Sequence, residues 1–279
     1  MNDSTLERKL ENNPLTYRDK LTIPSNINFG LELELDKIKY DEVYRLVKKQ
    51  IGWKVKTDKS LTEGENAEII SPVLQNTKQT WILIKKVGEL LQTFHPSYNN
   101  CSFQINFDGN LLPSNKDKVN FLKLYAMYED IIYKFSKGET LNYRDSLEMY
   151  ASPIILILKG IISLDDEAVI EMFSNNKRYG IIFKTENKDL IEFRTPNMTN
   201  NTILWQNYIT TFYYLIECAS KHRFNNKEVD YYLENFQKLY VLEDYEKIKK
   251  QKALTFSKRI FKSSIDQCSF MNQYFYSKD

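Results

Sequence analysis

The most restrictive feature of the sequence is the stretch NFGLELELD at residues 28–36, in which apolar and polar side chains alternate strictly. A period of two predicts a β-strand, because successive side chains of a strand point to opposite faces of its sheet. One face would carry Phe29, Leu31, Leu33 and Leu35, and the other Gly30, Glu32, Glu34 and Asp36. Since like charges on one face repel each other, the two glutamates predict a nearby source of positive charge.

Other segments of the chain repeat this pattern of one apolar and one polar face. Strands are predicted at residues 53–58, 67–74, 101–109, 178–184 and 189–194. Their polar faces carry Glu68, Gln104, Asn106, Glu192 and Arg194. If these strands join one sheet whose apolar face is covered by helices, the other face becomes an open acidic floor, as antiparallel sheets allow.

Helical periodicity fills most of the intervening sequence. Helices are predicted at residues 41–51, 77–92, 116–136, 144–174 (mostly helical) and 203–220, with two or three more up to residue 279. Asp165 or Ser163 is a candidate N-cap. The pattern predicts an α+β protein with an N-terminal arm at 1–25, a main domain at 26–220 and a C-terminal helical extension at 221–279 packed on that domain.

Composition excludes several classes of protein. A net charge of +2 over 279 residues gives no global case for nucleic-acid or membrane binding. The polar start predicts no signal peptide, and the apolar run at 153–162 is too short to span a membrane. Two histidines argue against a zinc site or a Ser–His–Asp hydrolase, and no GxGxxG or P-loop motif is present. Three scattered cysteines fit a reducing, cytoplasmic location, and the Lys, Asn and Ile usage suggests an AT-rich bacterial or phage genome.

Glutamates on one sheet surface, with an arginine beside them, suggest phosphate chemistry. Mg²⁺ takes oxygen ligands and bridges to substrate phosphates, which would relieve the repulsion. The guanidinium of Arg194 suits a phosphate or a carboxylate. Glutamates that bind a metal, together with an arginine that neutralises charge, are typical of enzymes that transfer a phosphoryl group.

Simpler interpretations stay open at this point. Alternating glutamates are often a solvated face, IEFR at 191–194 could form an ion pair across strands, and Gln104 with Asn106 could be ordinary polar surface. Asp58 and Glu68 superficially resemble a metal-nuclease pair, but the EII that follows lacks the lysine of such a site. The lysine-rich stretch 246–262 could bind nucleic acid or an acidic partner, although a solvated helix explains it as well.

Taken in order, several segments resemble the amidoligase family, a branch of the carboxylate–amine ligases that includes glutamine synthetase and glutamate–cysteine ligase. FGLELEL resembles the family's opening fGxExE strand, and WKVKTDKSL with AEIISPVL resembles its DgSl and EivSPvl segments. NNCSFQINFDG resembles its HvH strand, YRDSLEMYASP resembles its R…y helix, and RYGIIFK with DLIEFRTPN resembles its Ry and EFR strands. The similarity covers roughly residues 28–216.

The resemblance implies a curved antiparallel sheet that forms a partial barrel, as in the glutamine synthetase catalytic fold, with helices on its outer face. It also implies ATP and Mg²⁺ or Mn²⁺ as cofactors. The reaction would phosphorylate a carboxylate, and an amine would then attack the acyl phosphate to give an amide, ADP and phosphate. The carboxylate and amine substrates would be amino acids, peptides, proteins or cell-wall fragments.

Site roles follow from the same resemblance. Glu192, Arg194 and Glu68 would be the catalytic residues, with Arg194 steadying the phosphoryl group and Glu68 binding metal or the incoming amine. The implied metal ligands are Glu32, Glu34 and Glu192. The implied cofactor- and substrate-binding residues are Gln104, Asn106, Arg178, Arg144, Asp58 and Ser60, with Asp58 and Ser60 shaping the rim.

One departure from the family pattern opens a second interpretation. The two histidines of HvH fall on Gln104 and Asn106, and amides cannot carry a proton near neutral pH as histidine can. The chain is then either an active ligase that needs no histidine there, or a catalytically silent relative that binds a nucleotide, a peptide or a protein. The arm and the helices beyond about residue 220 lie outside the best match and could bind a protein partner or mediate homo-oligomers.

Overall fold

The computed structural model describes residues 10, 14–61, 65–140, 143–144, 146–186, 188–239 and 245–276. The strands are β1 (Asn28–Asp36), β2 (Lys54–Lys56), β3 (Asn66–Ile70), β4 (Leu74–Gln75), β5 (Phe103–Asp108), β6 (Ile181–Lys184) and β7 (Leu190–Phe193). The α-helices are α1 (Tyr40–Gln50), α2 (Lys78–Phe94), α3 (Asn115–Met127), α4 (Glu129–Ser136), α5 (Leu147–Tyr150), α6 (Ile155–Ile161), α7 (Asp166–Phe173), α8 (Thr202–Ser220), α9 (Asn226–Leu239), α10 (Tyr245–Ile260) and α11 (Ser264–Tyr276).

The strands form one open antiparallel sheet in the order β2-β3-β1-β5-β7-β6, with β4 paired to the start of β1. This confirms the mixed helix and antiparallel-sheet class. The central strand β1 is flanked by β3 and β5, so its two glutamates lie near the middle of the sheet.

The apolar face of the sheet is covered by helices, as the alternation predicts. Leu31, Leu33 and Leu35 of β1 have no exposed surface. Helix α8 crosses this face, and the ring of Phe193 in β7 stacks on that of Phe212 with centroids 4.1 Å apart. Stacking of aromatic rings adds to the burial of apolar area that holds the helix on the sheet.

Three predicted elements are divided in the structure. The helix predicted at 116–136 is interrupted at Tyr128, whose φ of −109° and ψ of 13° end α3 before α4 begins. The segment 144–174 contains three short helices, and the first two are separated at Pro153, which disfavours a helical conformation at the residue before it. Asp165, one of the two candidate N-caps, accepts a hydrogen bond from the Ala168 amide at 2.9 Å. The strand predicted at 67–74 is split into β3 and β4 around Pro72.

Segments from both ends of the chain pack on the main body. Asn76 binds the backbone of Leu21 through two hydrogen bonds of 3.0 Å. Arg18 forms an ion pair of 2.6 Å with the buried Asp266 of α11. The division into an arm, a main domain and an extension stays a prediction. Within the part of the chain that the structure describes, no helix is long and apolar enough to cross a membrane.

Candidate active site

The polar face of the sheet forms the floor of a pocket of about 490 Å³. Eight of the predicted site residues line it: Glu32, Glu34, Asp58, Ser60, Glu68, Gln104, Arg144 and Arg194. Glu192 lies beneath the floor and has no exposed surface. Asn106 lines an adjoining pocket, and Arg178 is exposed and lines neither pocket.

Strand register brings the polar side chains together. Glu34 lies directly opposite Glu68 across the β1–β3 pair, and Glu32 lies opposite Gln104 across β1–β5. Asn106 is opposite Glu192 across β5–β7. Because directly paired residues of neighbouring strands project on the same face, the predicted polar positions become neighbours in space.

The floor is less open than the alternation alone predicts. Glu34, Glu68, Gln104 and Asn106 are each less than one-tenth exposed. Buried polar groups require partners, so each of these side chains is held by others on the same face. The interpretation of the glutamates as a solvated face is therefore wrong.

Glu192 is held by two cations. Arg194 Nη1 lies 2.6 Å from Glu192 Oε1, so the ion pair suggested by IEFR exists, although it joins residues of one strand rather than two. The ammonium of Lys184 contacts Glu192 Oε2. The same ammonium lies 2.9 Å from Glu32 Oε1 and thereby joins the two glutamates. Burial alone would lower the pKa of Lys184, but the two carboxylates raise it above its usual value.

Glu34 has a separate set of partners. Its carboxylate accepts hydrogen bonds from the Ser102 amide at 2.6 Å and from Gln104 Nε2 at 2.7 Å. Burial raises the pKa of Glu34, against the effect of these donors. Glu32 and Glu34 are thus stabilised by different groups, which explains how one face of a strand can carry both carboxylates in spite of their repulsion.

Glu32 and Glu68 form a carboxyl pair on the floor. Burial, a hydrogen bond to Glu32 and the charge of Glu32 raise the pKa of Glu68 to about 8, in spite of Lys56 Nζ at 2.9 Å. Burial would also raise the pKa of Glu32, but the hydrogen bond from Glu68 and the charge of Lys184 lower it to about 2. The two shifts have opposite directions, because Lys184 stabilises the charged form of Glu32 while the charge of Glu32 disfavours a second charge on Glu68.

The raised pKa of Glu68 predicts a pH dependence of stability. A carboxyl whose pKa is raised to about 8 in the folded chain keeps its stabilising contribution at low pH and loses it as the pH rises through that value. At about 1.4 kcal/mol per pH unit for one proton, the free energy of unfolding should fall by about 2 kcal/mol between about pH 6 and about pH 8. Urea unfolding of the wild type and Glu68→Gln at several pH values measures this, and equal slopes for the two proteins would contradict it.

The amides in the place of the family's histidines connect the charged groups. Gln104 Oε1 accepts from Arg194 Nη1 at 3.0 Å, while its Nε2 donates to Glu34. Asn106 Nδ2 donates to Glu32 Oε1 at 2.9 Å. Asn106 Oδ1 is buried without a hydrogen-bond partner among the described residues.

Arg144 and Arg194 contact the backbone as well as the pocket. Arg144 donates to the carbonyl oxygens of Arg194, Thr195 and Pro196 at 2.6–3.2 Å. Burial, the largest effect, lowers the pKa of Arg144 to about 10. Arg194 Nε donates to the carbonyl of Tyr150 at 3.0 Å. Both guanidinium groups are therefore fixed in orientation at the pocket wall.

The rim of the pocket contains a turn built by Asp58. Its Oδ1 accepts from the amide and the hydroxyl of Ser60 at 2.8 and 2.7 Å. The Asp58 amide in turn donates to Asn66 Oδ1 at 2.7 Å. Asp58 and Ser60 thus lie at the rim, while their role in binding a cofactor stays a prediction.

The predicted metal ligands do not fit a common metal ion in this arrangement. Glu34 is held by Ser102 and Gln104, whereas the Lys184 ammonium lies between Glu32 and Glu192. In the ranges that the structure covers, no group of three His, Cys, Asp or Glu side chains is placed to bind a metal. The metal role of these glutamates stays a prediction, and no catalytic step is assigned to a metal.

Sequence reasoning missed Lys184 and Lys56. Lys184 is two residues beyond Ile182, which pairs with Glu192, so it lies on the polar face. Lys56 pairs directly with Glu68. Lys56 lies within the strand predicted at 53–58, and Lys184 ends the strand predicted at 178–184. These positions were the available signal, but only the register shows which carboxylate each lysine meets.

A second pocket of about 520 Å³ adjoins the first on the other side of Glu32. Its wall includes the apolar side chains of Ile70, Val73 and Leu190, together with the buried Asn106. A polar pocket with six basic and four acidic lining residues thus adjoins a more apolar one.

Comparisons with known proteins find only a distant likeness. No protein-family model and no curated protein matches the sequence. Among solved structures, the chain is similar to the glutamate–cysteine ligase of Francisella tularensis in complex with AMP, with 9% identity, a TM-score of 0.46 and coverage of 91% of this chain and 82% of that chain. A likeness at this level establishes no family, so the functional argument depends on the geometry of the pocket.

Proposed function

We propose that the polar pocket binds ATP and catalyses the ATP-dependent joining of a carboxylate to an amine. The observation that carries the proposal is the gathering of Glu32, Glu68, Gln104 and Arg194 on one floor beneath a pocket with more basic than acidic lining residues. Six basic side chains against four acidic ones favour an anionic ligand, and the raised pKa of Glu68 acts in the same direction.

The reaction that fits this pocket has two steps. A carboxylate oxygen of the substrate attacks the γ-phosphorus of ATP, and ADP leaves. The amine nitrogen then attacks the acyl carbon, phosphate leaves, and the amine gives up a proton. The chain's part is to orient the reacting groups and to stabilise the charge that develops on the transferred phosphoryl group.

Arg194 and Glu68 are placed to stabilise the phosphoryl group and to bind the amine. Arg194 is held in orientation by Glu192, Gln104 and the Tyr150 carbonyl, so its guanidinium can meet a phosphoryl group without reorganising. The carboxyl group of Glu68, beside Lys56 on the floor, would accept a hydrogen bond from the neutral form of the incoming amine. The more apolar pocket beyond Glu32 is large enough for the non-reacting part of the nucleotide or substrate.

ATP binding is the first test of this proposal. Calorimetric titration of ATP, with Mg²⁺ and separately with EDTA, should show binding to the wild type. Arg194→Gln should weaken binding by at least about tenfold, because a charge-assisted hydrogen bond to phosphate is lost. Arg45→Gln, which removes the same charge from the exposed surface of α1, should change the affinity by less than about twofold.

The outcomes separate the interpretations. If the folded wild type binds ATP under neither condition, the ligase proposal loses its cofactor and is rejected. If ATP binds, release of ADP is screened with amino acids, peptides and proteins as carboxylate and amine donors.

A catalytically silent binding protein is the second candidate. Two observations favour it: amides occupy the positions of the family's histidines, and a lysine lies between two predicted metal ligands. ATP binding without ADP release for any pair of donors would support this candidate over the ligase.

A further inference from the structure

Lys184 lies between two carboxylates that the resemblance assigns to a metal. Its Nζ is 2.9 Å from Glu32 Oε1 and also contacts Glu192 Oε2. The side chain of Lys184 is 28% exposed, that of Glu32 16% and that of Glu192 0%. The contact is therefore largely shielded from water, where ion pairs are stronger than at an exposed surface.

Two further side chains contact these carboxylates. Arg194 Nη1 lies 2.6 Å from Glu192 Oε1. Asn106 Nδ2 donates to Glu32 Oε1 at 2.9 Å, the oxygen that Lys184 also contacts. A divalent ion bridging Glu32 and Glu192 would have to replace the ammonium, because two cations cannot share these oxygens without strong repulsion.

Asn106, which donates to Glu32, also has a side-chain oxygen that could take part in binding an added ion. The residue is only 7% exposed, and its side-chain oxygen has no hydrogen-bond partner in the described part of the chain. A buried amide oxygen without a donor is uncommon and is a potential acceptor for an incoming donor or cation.

We infer that Lys184 is the resident cation of the Glu32–Glu192 pair, and that a divalent ion binds this pair only by displacing the Lys184 ammonium. The wild-type chain should therefore have low affinity for a divalent ion at these two carboxylates. The inference depends on the geometry of the three side chains and holds for a ligase and for a binding protein alike.

Titration of Mn²⁺ alone, without nucleotide, tests the inference. Free Mn²⁺ is followed by electron paramagnetic resonance in the wild type, Lys184→Met and Lys177→Met. Lys184→Met should bind Mn²⁺ at least about tenfold more tightly than the wild type, since Glu32 loses its lysine and Glu192 loses one of its two cations. Lys177→Met removes the same charge from an exposed side chain of the same pocket and should change the affinity by less than about threefold.

Circular dichroism shows whether Lys184→Met folds. If it does not fold, two further variants still test the inference. Lys184→Arg retains the positive charge and should keep the weak wild-type affinity. Glu32→Gln in the otherwise wild-type chain should leave Mn²⁺ affinity almost unchanged. Tight wild-type binding that Glu32→Gln abolishes would overturn the inference, as would equal gains for Lys184→Met and Lys177→Met.

The result is independent of the ATP titration. Tighter Mn²⁺ binding by Lys184→Met together with no ATP binding would reject the ligase and keep this inference. ATP binding together with tight, Glu32-dependent Mn²⁺ binding in the wild type would reject this inference and keep the ligase proposal.

Discussion

Glu192→Gln should lower the free energy of unfolding by about 3–5 kcal/mol, because it removes one partner from a buried cluster of charges. Glu192 is completely buried, and its two oxygens contact Arg194 and Lys184. The neutral amide would leave both cations close together without a carboxylate between them. Urea unfolding at pH 7 measures the loss, and Glu171→Gln on the exposed surface of α7 should stay within about 0.5 kcal/mol of the wild type.

A double-mutant cycle shows whether the loss has this origin. Adding Lys184→Met to Glu192→Gln removes one of the two cations that lost the Glu192 carboxylate, the one that Glu32 still contacts at 2.9 Å, so the double variant should recover part of the stability. The coupling energy between the two positions should exceed about 1 kcal/mol. A loss below about 1 kcal/mol for Glu192→Gln alone would mean that the carboxylate is solvated and that the cluster is looser than its burial indicates.

The two faces of β1 could be predicted from the sequence, because alternation is a local property of an extended backbone. Leu31, Leu33 and Leu35 are buried under helices, and Glu32 with Glu34 lie on the opposite face. No long-range information is needed for this result. The same reasoning placed Glu192 and Arg194 on one face of the strand predicted at 189–194, and the two side chains contact each other.

Burial of the polar face could not be predicted in this way. Glu34 and Glu68 look solvated in the sequence, yet each is less than one-tenth exposed. Their burial depends on the loops and helices that surround the pocket, such as the two separate segments that carry Asp58 and Ser146. These contacts join residues far apart in the chain, and no periodic pattern encodes them.

Ion-pair partners likewise depend on strand order and register. Lys184 meets Glu32 from 152 positions away, because β7 lies beside β5 and β6 lies beside β7 in the sheet. A shift of one residue would place Lys184 on the apolar face. The sequence therefore predicts that some cation must lie near the glutamates, but it does not show that a lysine of the chain takes this position.

Arg144→Ala is expected to lower the free energy of unfolding by about 3 kcal/mol, at about 1 kcal/mol for each hydrogen bond lost. The guanidinium donates to three consecutive carbonyls, those of Arg194, Thr195 and Pro196, and the residue is 4% exposed. These carbonyls follow β7 directly, so Arg144 fixes the backbone that positions the Arg194 side chain. Thermal and urea unfolding at pH 7 measure the change.

Arg144→Lys distinguishes this backbone role from the phosphate-binding role that the resemblance implies. An ammonium keeps the charge but cannot reach three carbonyls with the planar geometry of a guanidinium, so Arg144→Lys should still lose about 2 kcal/mol. A pure phosphate ligand would give the opposite pattern, in which Arg144→Ala folds with wild-type stability and loses only ATP affinity. Because the three backbone bonds already use both Nη1 and Nη2, we expect stability to be the property that changes first.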